Sequence, residues 1–160
     1  MTAANFLQDV LCAAIASAGF GVLFNISFRA LPWCAAGGAL ALAVRTTALI
    51  HGWSLEAASF LAAFVVAFAV LLLPCPAGLS RGALQVVGGI PLIPGAFAAK
   101  AILGLFAITT QASGSSYGTL ITSLGDTLRV LFTIGALGTG LAIPTLLFQV
   151  HGKQERPSVR

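Results

Sequence analysis

Four stretches of this chain, Val10–Phe28, Ala57–Ser80, Ala101–Gly125 and Val130–Gly152, contain no Asp, Glu, Lys or Arg. A bilayer crossing takes about 20 mostly apolar residues, and each stretch is close to that length or beyond it. Only 8% of the 160 residues are charged, against about 25% in a soluble domain. With 58% hydrophobic residues, the chain reads as a small all-α polytopic membrane protein.

Five spans account for nearly all of it. The first covers residues 5–28. Pro32 opens the second, 32–50, in the first turn, where its missing N–H costs nothing. Ser54 caps the third, 54–73, which carries Glu56 in its first turn and ends before Pro74 and Pro76. The fourth covers 82–109. A Ser/Gly/Thr-rich loop, TTQASGSSYG, leads to the fifth, 119–150, which starts at Thr119 or Thr127 and is expected to kink at Pro144, with Gly140 relieving the clash. Residues 1–152 thus form one transmembrane domain, and 153–160 a basic cytoplasmic tail.

Arg29, Arg81 and the tail (Lys153, Arg156, Arg160) fall on one side of five crossings. The positive-inside rule makes that side cytoplasmic and the topology N-out, C-in. Trp33 and Trp53 bracket the second span as interfacial anchors. The net charge of +4 is otherwise scattered, so a nucleic-acid partner is not expected. No Lys or Arg precedes the first apolar run, which reads as a retained helix and not as a signal peptide. Cys12, Cys34 and Cys75 show no CxxC spacing and read as reduced, small, apolar fillers.

One stretch breaks the pattern. GGIPLIPGAFAAK (Gly88–Lys100) sets two prolines three residues apart between glycines, inside an apolar span. A backbone break in a membrane strands N–H and C=O groups, and is tolerated only where protein or a wet cavity satisfies them. Transporters use such breaks, because a half-helix N-terminus offers bare N–H groups and a positive partial charge to an anion. Pro91, Pro94 and Gly95 are therefore candidate substrate-binding residues; the competing reading is a plain proline kink. Arg45 lies twelve residues past Trp33 and Gly95 twelve past Ala83, so both sit about 18 Å into the bilayer at 1.5 Å per residue. An intramembrane arginine costs about 3 kcal/mol or more, so Arg45 either shares a wet site with the break or snorkels to the outer face. Lys100, five residues beyond Gly95, adds a second cation.

Helix 1 repeats Asp9, Ala13, Ser17, Gly21 and Asn25 every four residues, a ridge suited to close helix packing. Gly135/Thr139 and Ala136/Gly140 do the same in the last span. Asn25 is the candidate substrate contact within that ridge, because a membrane amide needs partners. Among the acids, Glu56 suits a helix N-terminus, Asp126 has Arg129 at i,i+3, and Asp9 is the candidate carrier of a coupling proton. Arg29 is an orientation signal or a gate. His51 and His151 lie on opposite membrane faces, and HExxH, GxSxG and GxxxxGK motifs are absent; neither an enzyme nor a metal or other cofactor is expected.

The blocks GFGVLFNISFRALPWCAAGG (Gly19–Gly38), GIPLIPG (Gly89–Gly95) and GLAIP (Gly140–Pro144) resemble the threonine/serine exporter family, and more closely its short, YjjB-like branch, which corresponds to the C-terminal half of the full-length exporters. The likeness covers nearly the whole chain. It implies a small subunit of a bacterial inner-membrane exporter that works with a larger YjjP-like membrane subunit. It also implies small substrates: threonine and serine for the long forms, succinate for the split pair. Lys100 and the Asp126/Arg129 pair lie outside the family pattern. A non-transporting scaffold and a homo-oligomeric channel are the alternatives to an exporter subunit.

Overall fold

The computed structural model describes residues 3–73, 80–110 and 117–154, all helical apart from short connections. Pro74, Cys75, Pro76, most of the Ser/Gly loop and the tail beyond Gln154 lie outside the described residues. The helices are α1 (Ala3–Leu23), α2 (Leu31–Ile50), α3 (Leu55–Leu72), α4 (Arg81–Gly89), α5 (Gly95–Thr110) and α6 (Tyr117–Gln154). Of these, α1, α2, α3 and α6 are long and apolar enough to cross a bilayer. Counting the α4/α5 pair as one bent span gives five.

Local chemistry sets most boundaries. The Ser54 hydroxyl accepts from the Ala57 N–H at 3.3 Å and starts α3; Ser80 does the same for α4 through Ala83 at 3.2 Å. Each satisfies one of the N–H groups that a helix start leaves bare. Pro32 stands in the first turn of α2.

Helix α1 ends earlier than the sequence pattern suggests. Asn25 takes φ 55°, its N–H bonds to Val22 O, and the Ile26 N–H reaches back to Gly21 O. That is a left-handed helix stop of the Schellman type. Asn25 therefore leaves the ridge that Ala13, Ser17 and Gly21 continue.

Small residues bring the helices together. A Cβ on Gly38 of α2 would collide with Ser17 of α1 and stand 2.8 Å from Ala13 O. Gly37 and Gly88 put the backbones of α2 and α4 in contact, and a Cβ on Gly140 of α6 would stand 2.7 Å from Phe60 O on α3. Helices in lipid associate through such close approach. The core between them holds Cys34, Ala41, Ala62, Ala63, Val66, Val87 and Leu92, with Trp33 packed against it. Trp53, by contrast, is exposed.

Helix α6 has 38 residues, about 57 Å at 1.5 Å per residue, and passes through Pro144 as one helix. Pro144 is fully buried, and Gly140 serves the contact with α3. The first turns of α6 pair antiparallel with α5, where Gly104 meets Ser123. Arg129 pairs with Glu56 of α3 at 3.6 Å, not with Asp126 three residues before it. A contact across helices replaces the local one.

Candidate functional site

The fourth span is broken. Helix α4 stops at Gly89, Ile90–Leu92 make one 3-10 turn, and α5 departs from Gly95 at 60°. Two prolines explain the stop. Pro91 has no N–H for Val87 O, and Pro94 none for Ile90 O. Val87 O instead accepts from the Ile90 N–H and from the Ser17 hydroxyl of α1 at 3.1 Å. Ile90 O accepts from the Ile93 N–H at 3.1 Å.

The Leu92 carbonyl is met from α2. Arg45 Nη1 donates to Leu92 O at 2.9 Å. Arg45 lies 14 residues beyond the start of α2, about 21 Å along it and about 8 Å short of its end. The arginine and the break therefore share one level, past the middle of the span. A guanidinium carries five N–H donors. The other N–H groups of Arg45 meet no acceptor among the described residues.

At the start of α5, the Gly95 N–H folds back to Ile93 O at 2.8 Å, and the first helical bond runs from Ala98 N–H to Pro94 O at 3.0 Å. The N–H groups of Ala96 and Phe97 between them have no acceptor among the described residues. Gly95 does not have the positive φ found at Gly52, and a Cβ there would touch nothing within 4 Å. Glycine at 95 is thus not demanded by the backbone; it leaves space.

That space is a cavity of about 620 Å³ walled by α1, α2 and the break, into which Arg45, Pro91, Pro94, Gly95, Ala96 and Phe97 face. Asp9, Cys12 and Ala16 form the α1 wall, and Thr46 adds a hydroxyl-bearing residue from α2. Asp9 and Arg45 share this cavity without forming an ion pair, since the ion pair among the described residues is Arg129–Glu56. One wall therefore carries a cation and bare N–H groups, and another a carboxylate.

The remaining candidates stand elsewhere. Lys100 is exposed and does not line the cavity; its Nζ lies 5.8 Å from the Phe97 ring centre. Asn25 ends α1 at the opposite end of that helix from Asp9. Arg29 is exposed in the 3-10 turn Phe28–Ala30 near Asn25, away from the cavity. Sequence reasoning did not single out Cys12, which is an exposed cavity wall and not a filler, or Thr46. It also missed Ser17 as the partner of the stranded Val87 carbonyl, although the four-residue ridge contained it.

The family model described as "Threonine/Serine exporter, ThrE" matches residues 9–147, a span that takes in both Asp9 and the break. No solved structure matches the chain.

Proposed function

The chain belongs to the threonine/serine exporter family, a transporter family; on that premise we propose that the cavity at the break binds the carboxylate of an exported small molecule. The observation that carries this reading is the Arg45–Leu92 clamp at 2.9 Å, which sets a guanidinium beside the bare N–H groups of α5. The half-helix terminus and the arginine both favour negative charge. Pro91, Pro94 and Gly95 hold the terminus open, and Arg45 is the principal contact. Lys100 acts only as a more distant positive charge, and Asn25 and Arg29 act at the other end of the bundle, in closing or orienting the chain.

Asp9 on the α1 wall supports a zwitterionic passenger. An amino acid such as threonine or serine brings an ammonium for Asp9 and a carboxylate for Arg45. Succinate brings two carboxylates, and the second would face Asp9 at a cost unless that acid carries a proton. The same protonation would make Asp9 the coupling group.

The reading extends to assembly. Transporters commonly build a midplane site between two related bundles, and five spans supply only one. The chain is then the small subunit of a two-component exporter in the bacterial inner membrane, N-out and C-in, with a larger YjjP-like membrane subunit closing the open side of the cavity.

Efflux of labelled threonine, serine and succinate from cells holding both subunits tests this. Arg45→Gln should weaken efflux sharply at low substrate while a mild-detergent pull-down still recovers the partner. Intact efflux in Arg45→Gln, with normal assembly, would leave a scaffold as the better account. Flux through this chain reconstituted alone would favour a channel.

A further inference from the structure

We propose that the Arg81 end of the bundle holds a second oxyanion site, one that takes a single carboxylate or phosphate group. A cavity of about 400 Å³ opens there between the end of α3, the start of α4 and the C-terminal half of α6, lined by Leu71, Arg81, Gly82, Gln85, Thr145 and Phe148. Its polar side chains are Arg81, Gln85 and Thr145, set in an otherwise apolar wall, and Arg81 is its one charged group.

Gln85 is the informative residue. It is only 5% exposed, and one amide N–H donates to Ala67 O at 3.3 Å. The bond to Ala67 O turns the amide nitrogen to α3 and the oxygen to α6, where the Thr145 hydroxyl divides its one proton between Gln85 Oε1 at 3.2 Å and Leu141 O at 3.0 Å. An amide nitrogen has two N–H donors, and the second meets no acceptor among the described residues. That second N–H is a spare donor on a buried amide that lines the cavity, available to an acceptor placed there.

Arg81 supplies the charge. It is exposed at the mouth, no carboxylate pairs with it among the described residues, and no acid lines the cavity. A guanidinium fork beside an amide N–H recognises an oxyanion, while Leu71 and Phe148 suit a short apolar body. The site differs from the cavity at the break in having no acidic wall.

The two cavities lie at opposite ends of the α4 segment. Between them Val87 and Leu92 are fully buried and Gly88 lies against Gly37, so the route is closed in this structure. The place of the second site on an export route rests on the function proposed above; the site itself does not.

A cysteine at Gly82 reports on it, because a Cβ there meets nothing within 4 Å. The full chain in maltoside detergent is labelled with a thiol reagent, and peptide-resolved mass spectrometry separates position 82 from the native cysteines. Succinate, inorganic phosphate or dioctanoyl phosphatidylglycerol is the probe. The expected result is labelling of Gly82→Cys slowed at least threefold by an oxyanion, with the effect lost when Arg81→Gln is added. Stronger protection by succinate marks a solute site, stronger protection by the lipid a headgroup site; either supports the proposal.

No slowing by any probe, or slowing that survives Arg81→Gln, overturns it. Leu71→Cys on the facing wall gives the same readout if Gly82→Cys does not fold. Gly95→Cys, measured alongside in the chain co-purified with its larger subunit, reports the cavity at the break. Protection there without protection at 82 sinks only the second site, and the reverse sinks only the function proposed above.

Discussion

Arg45 Nη1 lies 2.9 Å from the carbonyl oxygen of Leu92, a residue 47 positions further along the chain. The contact satisfies an acceptor that the broken span cannot satisfy itself, and it holds a cation at the mouth of a half-helix. Replacing Arg45 by Gln removes the charge and the fork. A hydrogen bond to a charged group contributes about 1.5–3 kcal/mol, so the apparent affinity for an exported carboxylate should fall roughly 10- to 100-fold. Arg45→Lys keeps a point charge without the planar fork and should fall between, as read from the concentration dependence of efflux.

Two glycines separate space from packing. At Gly95 a Cβ points into open space and meets nothing within 4 Å; at Gly38 it collides with Ser17. Gly95→Leu should therefore fold and assemble normally yet lose efflux. Gly38→Leu should lower the melting temperature in detergent, since overpacking costs about 1–3 kcal/mol. The opposite pattern would place the function outside this cavity.

Ser17 and Pro91 should be coupled through Val87 O. Ser17→Ala removes a buried hydroxyl donor at 3.1 Å, which costs about 0.5–1.5 kcal/mol. In Pro91→Ala a backbone N–H becomes available to the same carbonyl, so Ser17→Ala should cost less in that background. A double-mutant cycle by thermal unfolding measures the difference.

The Arg129–Glu56 pair should matter little to stability. Its distance is 3.6 Å, and the side chains are 50% and 32% exposed. Exposed pairs contribute about 0–1 kcal/mol. Glu56→Gln should therefore move the melting temperature by at most a few degrees, provided the partner subunit does not bury the pair.

The break was legible in sequence because proline and glycine act on the backbone directly: no arrangement of neighbours gives Pro91 or Pro94 an N–H. The shared depth of Arg45 and Gly95 followed from the fixed rise of a helix. Asn25 was harder. Its four-residue spacing continues the α1 ridge, but the chain uses Asn's tolerance of left-handed backbone to stop the helix just before it. The partner of Arg129 was not legible either, since Asp126 at i,i+3 is visible in sequence, whereas the register of α6 against α3 is set by the approach of Gly140 to Phe60. Gln85 was not singled out in sequence, because only the approach of α6 to α4 brings Thr145 to it.

Hydrogen–deuterium exchange of the chain in lipid nanodiscs tests the central claim most directly, read on a peptide covering Ile93–Ala98. A wet junction predicts that the Ala96 and Phe97 amides exchange within seconds, far faster than those in the middle of α3, and that threonine or succinate slows them. Exchange as slow as that of α3, unchanged by either solute, would contradict it.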